Sequence, residues 1–314
     1  MMVYLIPILI LSLSSITSAQ SFIGTFVAVK GDVKVLKSAN GSTSGPFVRY
    51  EGKKYIYEAA KIGNKVKPAD VIQSGTDGKA KIAYPNGDNF VIGNGTSLVL
   101  PSISEKSDGT KKNSSLELIY GKVRALISKS GPRNKMTVKT PSAVAGVRGT
   151  DFFTRSNASD GTQITVLRGQ VSMQTKSKPD EIVQIKTGFT ADSNLKAAEN
   201  LKPIETTKEE LVTLQSESTV KVKTEELATL SPEIKNDIDA LNTQTTQAVL
   251  VDIKSHDEEL YKKLADNGKM DSDSINTLVV SNLYKQAPTS KIKKPTAEEI
   301  NAIGSEIYKK YFGE

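Results

Sequence analysis

The distribution of glycine limits what this 314-residue chain can fold into more than any other feature of its sequence. Nineteen of the 22 glycines precede residue 194, and only Gly268, Gly304 and Gly313 follow it. In the glycine-rich part, apolar residues alternate with polar ones, most clearly at 26–36, 79–84, 116–127 and 163–173. This period of two is typical of strands with one buried face, and the intervening Asn-Gly and Asp-Gly pairs favour tight hairpin turns. The first part therefore predicts an all-β domain.

From Thr206 onward the sequence carries helix signals instead. Thr207 and Thr296 each begin a capping box, and Ser231 stands before Pro232 as a cap before a first-turn proline. Apolar residues at helical spacing predict amphipathic helices that must bury a stripe: Ile234, Ile238 and Leu241, and then Ile300, Ile303, Ile307 and Tyr311. We expect a segregated α+β chain, with a compact β sandwich or roll of short strands followed by a C-terminal helical region.

The expected domain boundaries are a signal peptide at 1–19, a β domain at 20–194, a linker at 195–205 and a helical region at 206–314. Residues 3–13 are mainly apolar, and polar and small residues follow up to Ala19. This pattern is typical of a secretory signal peptide. The segment before the apolar run has no lysine or arginine, so an uncleaved anchor is the competing interpretation. We expect a periplasmic or secreted protein with no transmembrane span after cleavage.

Charge differs between the two regions. Residues 1–194 hold 26 lysines and arginines against 14 aspartates and glutamates, a net charge of +12, whereas residues 195–314 hold 16 against 21, a net charge of −5. Opposite signs favour docking of the helices on the β domain, although self-association or a partner protein could bury the same stripes. The lysines are spread along the strands rather than clustered, so we expect a solvated basic surface and no nucleic-acid partner.

A short pattern, apolar-x-Gly-x-Val-x-apolar, occurs at 29–35, 119–125 and 167–173. Its irregular spacing argues against a solenoid, which would show a fixed period. We interpret the three copies as equivalent strands of one compact domain, each with its glycine at a bend or bulge.

Residues 139–152 crowd small side chains and two glycines around one arginine, between two strand-like runs. This composition predicts a turn or crossing where backbone packs on backbone. We interpret the segment as a structural motif in which Arg148 stabilises the fold by binding backbone carbonyls or a carboxylate such as Asp151. The alternative is that Arg148 binds an anionic ligand. The motif comprises Thr140, Pro141, Ala145, Gly146, Val147, Arg148, Gly149, Thr150 and Asp151.

With the flanking segments 116–123 and 166–171, this motif resembles the FecR domain family of envelope signalling proteins. The resemblance extends to 29–33, 70–75 and 83–88 in the family's order and covers roughly residues 26–189. It implies an all-β envelope domain that passes signals by protein contact. We expect the chain to depart from the best-known members, with no cytoplasmic N-terminal arm and no spanning helix after export. The family's turn Gly-Asp is here Ala69-Asp70.

Residues 43–61 interrupt the resemblance, and we interpret them as an inserted hairpin. Tyr50, Tyr55 and Tyr57 in this segment could form an interaction surface, since aromatic residues concentrate in recognition patches. The alternative is a cross-strand stack without a binding role.

Candidate catalytic groups are few. The chain has no cysteine, which excludes disulfides, thiol catalysis and a Cys-ligated zinc site, and its one histidine, His256, lies in a charged helical segment. Asp70, Asp88 and Asp151 each have a structural role available, in a turn or an ion pair. We find no P-loop, dinucleotide fingerprint or EF-hand loop. We therefore expect no enzyme activity, no cofactor and no metal.

The function expected from these observations is that of an exported, non-enzymatic interaction or signalling module with an envelope protein as partner. The helical region would support assembly, including oligomers through the C-terminal helices. The alternative function is binding of cell-wall glycan or another anionic envelope polymer through the basic β domain.

Overall fold

A computed structural model describes residues 23–38, 47–50, 52–105, 112–129, 135–193, 201–266 and 271–289. The expected signal peptide and the stripe from Ile300 to Tyr311 lie outside these ranges. The strands are β1 Gly24–Lys30, β2 Val33–Ser38, β3 Phe47–Tyr50, β4 Lys53–Ala59, β5 Lys65–Val66, β6 Val71–Ser74, β7 Lys79–Ala83, β8 Asn89–Ile92, β9 Thr96–Glu105, β10 Lys112–Leu126, β11 Lys135–Lys139, β12 Ala143–Val147, β13 Asp151–Asn157, β14 Gly161–Arg168, β15 Gln170–Thr175, β16 Ile182–Lys186, β17 Phe189–Asp192 and β18 Ile204–Glu205. The helices are α1 Lys208–Glu217, α2 Thr224–Ala228, α3 Pro232–His256, α4 Glu258–Asp266 and α5 Ser272–Gln286.

The strands form two sheets, and the chain returns repeatedly from one to the other. Sheet I has the strand order β5, β1, β7, β8, the C-terminal half of β10, β13, β14, β17 and β18. Sheet II has the order β3, β4, β2, β6, β9, the N-terminal half of β10, β11, β12, β15 and β16. Adjacent strands are antiparallel except β10 and β11, which are parallel.

Both sheets contribute alternate residues to a single hydrophobic core. Phe26, Ile82, Phe90 and Phe152 enter it from sheet I, and Val35, Ile72, Leu98 and Val138 enter it from sheet II. All eight are fully buried. This confirms the predicted β sandwich, because the period-two alternation places one side of each sheet between the two layers.

The repeated glycine pattern marks passages between the sheets. Gly31, Gly121 and Gly169 have φ values of +66°, +95° and +89°, and each separates a segment of sheet I from a segment of sheet II. At Gly121 the long strand β10 leaves sheet II and enters sheet I. A Cβ atom there would lie 2.5 Å from the carbonyl oxygen of Gly95. The interpretation of the three copies as strands with a glycine at a bend is confirmed.

The helices pack on the outer face of sheet I, so the layers are ordered sheet II, sheet I, helices. Leu126, Phe153 and Leu167 of sheet I contact apolar residues of α1, α3, α4 and α5. A second cluster joins Val27 and Ala83 to the α3 residues Ile238 and Leu241. The predicted stripe of α3 therefore packs against the β domain, with Ile238 and Leu241 buried and Ile234 partly buried. Among the described helices, none is long and apolar enough to span a membrane.

The β domain extends beyond the boundary expected from the sequence. Leu201 belongs to the sandwich core, and β18 pairs with β17 through Phe189 opposite Glu205 and Thr190 opposite Ile204. The described part of the expected linker at 195–205 is thus an edge of sheet I, and the helical layer begins directly after it.

Candidate functional site

The motif at 139–152 is a crossing between the sheets, as its composition predicts. Strand β12 lies in sheet II and β13 in sheet I. Arg148 and Gly149 form the corner between these strands, where Gly149 has a φ of +62°. Gly146 instead lies within β12, and its carbonyl accepts a hydrogen bond from the Ser172 hydroxyl at 3.1 Å.

The motif begins with a turn held by hydroxyl groups. The Thr140 hydroxyl accepts from the Ala143 N–H at 2.9 Å and lies 2.6 Å from the Thr162 hydroxyl. Ser142 joins the same group, 2.7 Å from Thr162, while Pro141 is exposed. These contacts fasten the turn before β12 to β14. The side chains of Ala145, Val147 and Thr150 are buried, which gives this part of the motif a packing role.

The motif's carboxylate pairs with an arginine that lies outside the motif. Arg124 on β10 donates from Nε to Oδ1 of Asp151 at 2.9 Å and from Nη2 to Oδ2 at 2.7 Å. The two side chains are 1% and 2% exposed. Arg148 is exposed. Asp151, one of the partners considered for Arg148, is therefore bound by the buried Arg124 instead.

Arg124 also connects the sandwich to the helical layer. Its Nη1 donates to the Ser218 hydroxyl at 3.3 Å, and its Nη2 donates to Oδ1 of Asn276 at 3.4 Å. Ser218 caps α1 and Asn276 lies on α5. One buried guanidinium thus binds the carboxylate of the crossing motif and two helices that cover it.

Further ion pairs join the basic face of sheet I to acidic helices. Glu217 of α1 binds the Lys122 ammonium at 2.6 Å and the Arg155 guanidinium at 2.9 Å. Burial opposes ionisation of Glu217, but these two cations outweigh it and lower its pKa. On α3, Asp252 pairs with Lys129 at 3.1 Å and with Arg168. The docking expected from the opposite charges of the two regions is confirmed.

Within the segment 43–61, strands β3 and β4 form a hairpin and pair in antiparallel register. The rings of Tyr50 and Tyr55 make an edge-to-face contact at a centroid distance of 5.9 Å. Tyr57 is 39% exposed and lies opposite Leu36 of β2. The register places all three tyrosines on one face, where Tyr50 and Tyr55 make a cross-strand aromatic contact and Tyr57 is partly exposed.

Sheet II has an outward-facing row of side chains that the sequence alone does not reveal. Six residues on six neighbouring strands lie directly opposite one another, and we call them the outer row: Val99, Glu117, Lys139, Val144, Gln174 and Ile182. Glu117, Lys139 and Ile182 are exposed, and the other three are half-buried. The apolar clusters formed by the described helices lie on sheet I, so this face is the surface of the sandwich opposite the helical layer.

The remaining candidate acids serve the fold. Asp70 accepts from the Lys67 N–H at 2.8 Å, and burial raises its pKa. Asp88 accepts from the Ser128 N–H at 3.0 Å and from the Asn86 amide at 3.1 Å. Within the described ranges, no group of three or more His, Cys, Asp or Glu residues could hold a metal ion. The His256 side chain lies outside the description.

The turn before Asp70 retains a glycine-like conformation without a glycine. Ala69 has a φ of +66° and is the one non-glycine residue with a positive φ in the described part of the chain. Its N–H donates to the Leu100 carbonyl at 3.3 Å. Ala69 thus has a left-handed conformation that glycine adopts at lower cost, so this turn carries backbone strain.

Comparisons with known proteins match residues 70–172 to the FecR protein family. The match runs from Asp70 into β15 and includes the crossing motif, Arg124 and Asp151. Two crystal structures of a protein from Parabacteroides distasonis, described as a proposed anti-sigma factor, align with 43% of this chain at 15% and 14% identity, with TM-scores of 0.35 and 0.34. The alignment spans 59% of that protein. A search of curated proteins finds no match.

Proposed function

We propose that this chain is an exported, non-enzymatic signalling or regulatory module that acts through protein–protein contact in the cell envelope. The observation that carries the proposal is the unequal use of the two faces of the sandwich. The described helices pack on the outer face of sheet I, whereas Glu117, Lys139 and Ile182 of the outer row on sheet II are exposed. The family match at 70–172 supports a regulatory role rather than catalysis.

The outer row has a composition suited to a protein partner. Val99, Val144 and Ile182 supply apolar area, and Ile182 is 61% exposed. Glu117 and Lys139 lie opposite each other between Val99 and Val144 in the row and supply charge for orientation. Specific interfaces combine apolar area with polar and charged groups. Among the described strands, β16 at the end of the row pairs only with β15, an arrangement that allows a further strand to add at its other edge.

Two further observations support other parts of the proposal. The apolar segment at 3–13 supports export, which would place the partner in the envelope. The acids considered for catalysis are engaged elsewhere: Asp151 binds Arg124, and Asp70 and Asp88 accept hydrogen bonds from the backbone N–H groups of Lys67 and Ser128. Their structural use supports a module without enzyme activity.

The second candidate function, binding of cell-wall glycan or an anionic polymer through the basic β domain, has weaker support. Lys122, Arg155 and Arg168 of sheet I contact acidic residues of the helical layer, so much of the basic face is engaged within the chain. Sedimentation with purified wall material that weakened as salt was added would support this candidate. The described helices bury their stripes on sheet I, which favours internal packing over oligomerisation through them.

Site-specific photo-crosslinking tests the proposed function. A photoreactive amino acid at Gln174 or Ile182 should capture a discrete envelope protein in living cells, because both side chains lie on the outer row. The matched control is Val251, which is 70% exposed on α3 and lies in the opposite outer layer. Capture at Val251 alone, or no capture at either position of the row, would contradict the proposal.

A pair of charge substitutions gives an independent measurement. Ile182→Asp should reduce the captured fraction when the photoreactive residue is at Gln174, because it places a charge in an apolar contact. Val251→Asp makes the same change in the helical layer and should leave capture unaltered. Both residues are exposed, so neither substitution should change the unfolding temperature substantially.

A further inference from the structure

A groove of about 570 Å³ lies where α1 and α5 meet sheet I at β1 and β7. Three cationic side chains line it, Lys30, Lys79 and Lys221. Val212, Val280 and Tyr284 provide apolar surface, and the other lining residues are neutral and polar. No carboxylate of the described residues belongs to the lining, which distinguishes this groove from the charge-balanced contacts nearby.

Two of the lysines face each other directly. Lys30 on β1 lies opposite Lys79 on β7 in the antiparallel register, so both side chains project from the same face of sheet I. Like charges in such positions destabilise a sheet. Burial and the neighbouring Lys30 charge lower the pKa of Lys79. The fold thus holds two ammonium groups together at an energetic cost.

The charge of Glu217 favours the charged form of Lys79 but does not outweigh burial and the neighbouring Lys30 charge. Glu217 binds Lys122 and Arg155, and Glu210 binds Arg155. Within the described part of the chain, neither Lys30, Lys79 nor Lys221 has a carboxylate at ion-pairing distance. The Lys79 ammonium donates to the Ser216 carbonyl at 2.8 Å, which positions it at the groove without neutralising its charge.

The apolar side of the groove is also accessible. Val212 is 58% exposed and Tyr284 is 43% exposed. The Lys208 ammonium lies 5.5 Å from the centre of the Tyr284 ring, which orients the ring beside the groove. Cations on one side and apolar surface on the other are what an anionic molecule with an apolar portion requires.

We propose that this groove binds a small organic anion, whose carboxylate or phosphate lies between Lys30 and Lys79 and whose apolar portion contacts Val212, Val280 and Tyr284. The anion replaces the missing countercharge of the lysine pair. The site lies between α1, α5 and sheet I, away from the outer row, so it is independent of the protein contact proposed above.

Calorimetric titration of the full chain with octanoate, phenyl phosphate and inorganic phosphate tests this site. We expect octanoate or phenyl phosphate to bind, according to whether the site prefers a carboxylate or a phosphate, and inorganic phosphate to bind more weakly because it lacks the apolar portion. Lys30→Gln and Lys79→Gln should each weaken binding by about tenfold, the scale of one charge-assisted hydrogen bond. Lys186→Gln, the same charge change at an exposed residue of β16, is the matched control and should leave binding unaltered.

Three results would overturn the inference: no binding of either organic anion at millimolar concentration, equal binding by Lys30→Gln and wild type, or equally tight binding of inorganic phosphate. Thermal unfolding provides a second readout. Without ligand, Lys30→Gln should raise the unfolding temperature because it relieves the like-charge contact, while the ligand-induced increase of the wild type should be lost. A lower unfolding temperature for Lys30→Gln would assign this lysine a structural role instead.

Discussion

Neutralising Asp151 should destabilise both the sandwich and the helical layer above it. In Asp151→Asn, the Arg124 guanidinium keeps its charge but loses the carboxylate that it binds through two hydrogen bonds. The longer contacts to Ser218 and Asn276, at 3.3 and 3.4 Å, are to neutral oxygens. A buried cation without a counterion is the result.

The burial of the Arg124–Asp151 pair determines how much stability the substitution removes. Because Arg124 and Asp151 are only 1% and 2% exposed, water cannot replace the lost carboxylate. Removal of one partner of such a pair typically costs about 3–5 kcal/mol. For a domain of this size, that corresponds to a fall of roughly 6–20 °C in unfolding temperature. Replacing both residues, as in Arg124→Met with Asp151→Leu, should restore much of the loss because no buried charge is left.

Urea unfolding of the wild type, Arg124→Met, Asp151→Leu and the double variant measures the coupling between the two residues. Arg148→Ala is the control, since Arg148 is the exposed arginine of the same motif; its effect should stay within about 0.5 kcal/mol. A loss below about 1 kcal/mol for Asp151→Asn, against the several expected for a buried pair, would refute the reasoning. A loss for Arg148→Ala as large as that for Arg124→Met would refute the choice of arginine.

Four other outcomes follow from the structure. Gly121→Ala should lower the free energy of unfolding in urea by about 3 kcal/mol, because the new Cβ combines a positive φ with a backbone clash. Gly52→Ala, which has a positive φ but nothing within 4 Å, should lower it by about 1 kcal/mol. Equal losses for the two variants would contradict the role of packing at Gly121. Ala69→Gly should stabilise the protein by about 0.5–1 kcal/mol, since it relieves a φ of +66° at some cost in chain entropy, and a lower unfolding temperature would show that the turn is not strained. Because the pKa of Glu217 is lowered in the folded state, its ion pairs stabilise the fold at pH values above its unfolded-state pKa near 4.5. This stabilisation is lost as the pH falls through the folded-state pKa. The difference in unfolding free energy between wild type and Glu217→Gln should therefore shrink in acid, and a difference that stays constant would contradict the assignment. Tyr57→Ala should leave the unfolding temperature nearly unchanged, and a large fall would show that this exposed ring is structural.

The sequence predicted the role of the crossing glycines better than the role of the arginines. The glycine pattern at 29–35, 119–125 and 167–173 is local, because a positive φ is a property of a residue and its immediate neighbours. Arg124 lies in the alternating run of β10, where Lys122 and Leu126 share its face. Leu126 on the same face of β10 and Phe153 on the neighbouring strand are apolar, which indicates that another part of the chain covers this face of sheet I. Its partner is 27 residues away, so proximity in sequence favoured Arg148 instead.

The contrast between local features and contacts between distant segments also applies to the two surfaces on which the proposals depend. The outer row on sheet II requires the register of six strands, and the opposition of Lys30 and Lys79 requires the pairing of β1 with β7. Neither can be obtained from alternation alone, which assigns residues to a face without saying which strands are neighbours. The sequence indicated an attraction between a basic and an acidic region, but not the residues through which it acts.

The sequence by itself determined the class of the fold, the order of its β and helical parts and the positions of the bends, because periodicity and glycine conformation act over a few residues. The tertiary structure decided which strands are neighbours, where the β domain ends, which face the helices cover and which charges meet. Those features depend on contacts between segments distant in sequence, whose energies are settled only when the sheets pack and water is excluded between them.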